Sequence, residues 1–553
     1  TQGNRVFSSL YGSPLDLPPP RGARVTAWGE VAERARSAPA EIVPGLLASA
    51  LAEAGIRSPR GAAIEAAAGL TYPALLGADR DGEIGRLPRS CPSRLCAAPV
   101  IVRGATLAAL PGLAAGLRGS DLLIAIERPP PPERGALTIG IAGRGYDGKL
   151  TSDSTRTDGY VLSTDIAPTI LERFGVAVPD EISGEPIRAE GERDPEAVAS
   201  LGARLSEIGG RRGAVIVVSV LAWLVVVGLA VLLSGGRAAP PALRLLALAV
   251  VYLPLMLLAG AALEPSTGAE RLLVGLGAPA LGAGTLALLG GYRALAAACA
   301  LTVLAQAIDV LGGSPLTSLS LIGPNPGLGV RFFGIGNELE AILAPLVIVG
   351  TGAALAGFAP RLGAGRAAAA FLGAGLAAAF VFAAGRFGAD VGAAIVFPVG
   401  AAVAAALITG QRSAALLVIA APLGALALLA LIDLASGGDA HLTRSVLDAG
   451  GFGDLADVAE RRLRLSARSF SRAITSPFLP LVLIVLAVAL WKRETILGWL
   501  EPHPALRAGF LGAAAATVVG TLANDSGALL LEVGTAYLLV FAGYAWAETR
   551  HRP

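Results

Sequence analysis

Ionisable and amide side chains at the ends of long apolar stretches are the residues here that can do chemistry. Four motifs carry them: GPNPGLGVRFFGIGNELEAI (323–342), GRFGAD (385–390), DLASGGDAHLTR (433–444) and ANDSG (523–527), the last followed by Glu532. Charge in or beside lipid is costly, so each such residue starts as a functional candidate. The first motif sets Arg331, Asn337, Glu338 and Glu340 among repeated glycines just ahead of an apolar run. Glycine lets a backbone turn tightly and present its N–H groups, and the helix start that follows favours an anion. Glu338 and Glu340 are two positions apart, so they point to different helix faces and form no ready pair. Asp390 either pairs with Arg386, one turn earlier, or joins a site. Asn524, Asp525 and Ser526 either cap the next helix or line a site, and capping leaves Glu532 unexplained.

Of the three histidines, His441 is the one placed outside, with carboxylate neighbours in Asp439, two positions before it, and Asp433 at the end of an apolar run. Such neighbours can tune it as a general base or proton carrier; a solvated loop histidine is the plainer alternative. One imidazole is thin support for a metal, so no metal ligand is assigned and the cofactor is left open. The segment VAERRLRLSARSFSRAI (458–474) interleaves Arg461, Arg462, Arg464, Arg468 and Arg472 with Leu463, Leu465, Phe470 and Ile474. That is the pattern of a helix lying on a membrane surface, although arginine equally suits phosphate. The catalytic candidates are therefore His441, Glu338 and Asp390. Those for substrate binding are Arg331, Asn337, Glu340, Arg386, Asp439, Arg444, Asn524, Asp525 and Glu532. Arg331, Glu338, Asp390, His441 and Asp525 are expected to converge on one pocket, within the roughly 15–20 Å that a single ligand site spans. Backbone at glycine-rich breaks is tolerated at membrane depth only where it is buried in protein or lines a wet cavity.

Helices that cross lipid must position these groups. The chain has 553 residues, 54% hydrophobic and 16% charged, with a mean hydropathy of +0.64. A soluble chain carries about 25% charge, so disorder, fibrous repeats and an ordinary cytosolic enzyme are excluded. The net charge is +2, and no basic patch with interleaved aromatics supports a nucleic-acid partner. From Gly213 onward, apolar runs long enough to cross a bilayer fall near 213–234, 243–263, 272–290, 294–312, 338–358, 367–385, 389–409, 413–434, 478–491, 506–523 and 528–547. The expectation is an all-α polytopic bundle of about 11 helices over 211–553, with an outer loop and surface helix at about 436–477. Arg237, Arg244, Arg293, Arg361, Arg366, Arg412, Lys492, Arg493 and Arg507 fall in alternate short loops, which marks those loops as cytoplasmic. The same alternation places all four motifs, and residues 1–210, outside. An extracytoplasmic start needs an export signal, which is expected ahead of Thr1.

Residues 1–210 mix charges, prolines and short apolar runs, as a globular domain does. Helical spacing in EIVPGLLASALAEAGI (41–56), strand-like runs DLLIAIE (121–127) and ALTIGIAG (136–143), and the well-bounded helix STDIAPTILERFGV (163–176) predict an α/β domain, a sheet covered by helices. Cys91 and Cys96 favour a disulfide over free thiols in an exported domain. TSDSTRTDGYVLSTDIAPTILERFGVAVPDEISGEPI (151–187) resembles the C-terminal part of an alkaline phosphatase/sulfatase-like domain, and PGLLASALAEAGI (44–56) is similar to an early helix there. The resemblance extends to bacterial membrane proteins that fuse such a domain to many spans. It implies an alkaline phosphatase-like fold whose active members hold metal through Asp and His, with a Ser, Thr or Cys nucleophile. Residues 1–210 contain no histidine, and no Asp-Gly-type nucleophile segment appears near their beginning, so a degenerate, non-catalytic domain lacking its N-terminal part is expected, with Asp165 capping its helix.

Three functions fit. One is a cell-envelope enzyme transferring a glycosyl or phosphoryl group from a lipid-linked precursor at an outward-facing site. The second is a transporter or flippase of such a precursor, for which Asp309, Glu532 and the 385–390 break speak. The third is a non-catalytic binding or regulatory membrane protein. Expected partners are membrane lipids and a phosphate-containing, lipid-linked envelope precursor.

Overall fold

The computed structural model describes residues 24–36, 42–58, 61–67, 75–87, 99–127, 136–324, 326, 331–410, 420–421, 423–424, 467, 469–471, 473–474, 478–524 and 526–551. The chain divides into two compact units, Thr1–Gly202 and Ala203–Pro553.

In the first unit, helices α1 (Trp28–Arg36) and α2 (Leu46–Glu53) precede three short strands, β1 (Ile64–Ala67), β2 (Gly85–Leu87) and β3 (Val100–Val102). These form a parallel sheet in the order β2-β1-β3. After α3 (Leu110–Ala115), strands β4 (Leu122–Ile126) and β5 (Ile139–Gly143) pair with each other, antiparallel. β6 (Lys149–Thr151) and β7 (Arg188–Glu190) flank α4 (Ile166–Arg173) and form a third small sheet. The core joins α2, β1 and α4 through Leu46, Leu47, Leu51, Ile64, Ala167 and Leu171. The runs at 121–127 and 136–143 are thus strands, but they build a separate hairpin. Among the described residues there is no single sheet covered by helices, because the apolar runs are three to five residues long and each sheet stops at two or three strands.

The second unit is helical. Helix α5 (Pro195–Arg212), which crosses the unit boundary, runs through a π-helical turn at Gly213–Val217 into α6 (Val218–Leu233). There follow α7 (Ala239–Leu263), α8 (Thr267–Leu289), α9 (Gly291–Leu311), α10 (Asn337–Phe358), α11 (Ala364–Ala383) and α12 (Val391–Thr409). Beyond the undescribed stretch come α13 (Phe478–Trp491), α14 (Arg493–Leu500), α15 (Pro504–Ala523) and α16 (Gly527–His551). Among the described residues nine helices are long and apolar enough to cross a membrane, and the chain is a multi-pass membrane protein. The count differs from the eleven expected. The run at 413–434 lies largely outside the described residues, and α13 has 14 residues, about 21 Å against a core of about 30 Å.

Two features let these helices pack in lipid. Along α10, α12 and α15 glycines bring backbones together: a Cβ at Gly352 would fall 2.7 Å from the Ala505 carbonyl oxygen, and one at Gly509 2.9 Å from that of Ile348. Small residues at such seams replace the hydrophobic drive that lipid removes. Prolines inside helices leave a carbonyl without its usual donor, and neighbouring side chains supply one. Pro254 releases the Val250 carbonyl, which accepts from the Tyr537 hydroxyl (3.2 Å), and Pro279 releases that of Gly275, which accepts from Trp223 Nε1 (2.7 Å). The π turn behaves alike, since the Ala214 carbonyl accepts from Arg271 Nε (2.7 Å).

Candidate functional site at one end of the bundle

Three breaks between spans meet at one end of the helical unit: 312–336 before α10, 384–390 between α11 and α12, and 524–526 between α15 and α16. The backbones of the first two touch. Gly334, at φ +77°, leaves no room for a Cβ against the Gly388 carbonyl, and the Ile335 N–H donates to that carbonyl (3.0 Å). The Ser314 hydroxyl accepts from Gly334 N (2.9 Å), and that of Ser318 donates to Phe332 O (2.5 Å). Ala389 stands at φ +51° just before Asp390, a left-handed conformation that costs a non-glycine residue about 1–3 kcal/mol and persists where its surroundings enforce it.

Polar side chains continue this junction. Asn524 Nδ2 donates to Glu340 Oε2 (2.8 Å) and Asn337 Oδ1 (3.2 Å), its Oδ1 accepts from Ser526 N (3.0 Å), and Asn337 Nδ2 donates to the Ser526 hydroxyl (2.8 Å). Glu340 and Asp390 are buried. A Cβ at Gly392 would fall 2.5 Å from the Glu340 carboxylate, so this glycine admits the acid between α10 and α12. Asp390 Oδ1 caps α12 by accepting from Gly392 N (2.9 Å), while its Oδ2 lies 3.6 Å from Arg331 Nη1. Arg331 also donates to the Ile335 carbonyl. Glu338, facing away from Glu340, pairs with Arg212 (3.2 Å), whose Nη2 donates to Gly323 O (2.9 Å).

The structure therefore brings Arg331, Asn337, Glu338, Glu340, Asp390 and Asn524 to one end of the bundle. Arg386, on the same break, is exposed. Glu532 lies one to two turns into α16, half-buried, and makes no ion pair among the described residues. Asp439, His441, Arg444, Asp525, Cys91, Cys96 and most of 458–474 lie outside the described residues. Asp309 is a loop anchor: it accepts from the Leu316 and Thr317 amides (3.0 and 2.7 Å). Arg212, Ser314 and Ser318 escaped the sequence reading. Arg212 is one of several arginines at this end, with Arg211, Arg271 and Arg331, and no local pattern marks it out.

In the first unit, Asp165 is buried and saturated. Its carboxylate accepts from the Ser152 and Ser154 hydroxyls (2.6 Å each), Leu162 N (2.8 Å) and Glu185 N (3.1 Å). Among the described residues no three His, Cys, Asp or Glu side chains are placed to hold one metal ion. Comparison with protein-family models, curated proteins and solved structures returned no match.

Proposed function

We propose that this chain is a cell-envelope membrane protein whose polar junction faces outward and binds the phosphate-bearing head of a lipid-linked precursor, with glycosyl or phosphoryl transfer as its reaction. One observation carries the reading: the Asn337–Asn524–Glu340 network joins separate helix breaks beside the Arg331–Asp390 pair. Irregular backbone at the end of a membrane bundle is kept where it lines a polar space. Arg331, on a glycine-rich loop, supplies the cation that a phosphate needs. Glu338 and Asp390 are the carboxylates offered for proton transfer, with His441 as the third candidate.

Outward orientation is supported by the alternation of basic loops. Arg244, Arg293 and Lys492 sit at the opposite helix ends, Arg293 and Lys492 over the rings of Phe358 and Trp491. The first unit is read as a degenerate alkaline phosphatase-like domain. Asp165, inside the motif that carries that resemblance, spends its carboxylate on four structural donors, and residues 1–210 offer no imidazole. A transport function draws on Glu532, an acid inside an apolar span.

The test uses the full chain in nanodiscs with a radiolabelled polyprenyl-phosphate-linked sugar. Binding is expected to weaken about tenfold in Arg331→Gln, the loss of one charge-assisted contact. Unchanged binding in Arg331→Gln, Asp390→Asn and Asn337→Ala alike overturns the proposal. Passage of the lipid between leaflets, abolished by Glu532→Gln and without transfer of the sugar, replaces the enzyme reading with the transport one.

A further inference from the structure

The opposite end of the bundle holds a cavity of about 490 Å³ lined by Pro241, Arg244, Leu286, Gly290, Gly291 and Glu548. Its volume is that of a small-molecule site. Arg244, near the start of α7, and Glu548, near the end of α16, meet at its wall, with Nε and Oε1 2.6 Å apart and both side chains largely buried. The buried Tyr544 donates to the carbonyl of Gly291, one of the lining residues (2.7 Å). Between the lining residues Ala287 and Gly290 in sequence, Leu288 is 84% exposed and Leu289 41%, as side chains facing lipid are.

We infer that this cavity binds the phosphoethanolamine headgroup of a membrane lipid, with its phosphate toward Arg244 and its ammonium toward Glu548. A lone anion would bring its charge against Glu548 and a lone cation against Arg244, at the expense of desolvation. A zwitterion satisfies both. A primary ammonium has N–H donors for a carboxylate, whereas a quaternary one has none and calls for an aromatic cage. The exposed leucines accommodate acyl chains, so the headgroup comes from a lipid rather than from free solute. The site is at the other end of the bundle and does not depend on the proposed transfer reaction.

The test follows thermal unfolding of the delipidated full chain during titration with phosphatidylethanolamine, phosphatidylglycerol, phosphatidylcholine or soluble phosphoethanolamine. Phosphatidylethanolamine is expected to raise the midpoint saturably and more than the other lipids. The charge-neutral double variant Arg244→Gln/Glu548→Gln raises its half-saturation about tenfold. Ala287→Trp, at the exposed mouth of the cavity, does the same without touching the pair and decides the matter should the double variant not fold. An equal effect of the anionic or the choline lipid overturns the zwitterion assignment. Insensitivity of a folded variant overturns the site, and soluble phosphoethanolamine acting at the same half-saturation overturns the lipid source.

Discussion

Asn524 shows how much one amide does in this protein. It donates to a buried carboxylate and to a second amide, and accepts from the turn that starts α16. Asn524→Ala leaves Glu340 without that donor, at a cost of about 1–3 kcal/mol. The unfolding midpoint of the full chain should fall accordingly, and an unchanged midpoint would mean that the network carries no stability. Asp165 makes the corresponding case in the first unit. Asp165→Asn sets an amide N–H₂ against existing donors and should cost about 2–4 kcal/mol. Limited proteolysis of the full chain would show it as faster cleavage within 150–190, and equal rates would contradict it. Both residues were visible in the sequence, one as a polar group at a span end and the other as a helix-start acid. The Asn337 and Glu340 partners of Asn524 were not, because hydrogen bonds between residues 184–187 positions apart leave no local signature; those of Asp165 lie 3–20 positions away, in a loop whose path the sequence pattern does not give.

Elements were more legible than contacts, for a physical reason. A span needs about 20 apolar residues, and ten of the eleven expected runs coincide with helices to within a few residues, α13 being too short to span. The remaining one lies largely outside the described residues. Strand pairing was less legible, since DLLIAIE and ALTIGIAG say that each is extended but not which neighbour each takes; a hairpin between them is the local solution. Helix seams lie between these extremes. Gly400 faces Ala516, where a Cβ would approach to 3.1 Å, so Gly400→Leu forces α12 from α15 and should destabilise by about 1–3 kcal/mol or more. Trp223→Phe strands the Gly275 carbonyl beside Pro279 and should cost about 0.5–1.5 kcal/mol. Thermal unfolding in detergent ranks the pair, and the order Trp223→Phe worse than Gly400→Leu would contradict the seam.

At the scale of the whole molecule, polarity is sorted to the two ends of a lipid-spanning bundle. One end gathers helix breaks, amides and buried acids; the other holds the Arg244–Glu548 pair, with Tyr292 packed on His503 (ring centroids 4.7 Å). This segregation was readable in outline, because basic residues recur in alternate loops. The convergence of the breaks was not, because it depends on glycine contacts such as Gly334 on Gly388. The most direct test places a single cysteine at the exposed Arg386 and labels it in intact cells with a membrane-impermeant thiol reagent, with Cys91 and Cys96 replaced by serine. The account predicts labelling without permeabilisation and slower labelling when polyprenyl phosphate is added. Labelling only after the membrane is breached, or at a rate the lipid phosphate leaves unchanged, would contradict it.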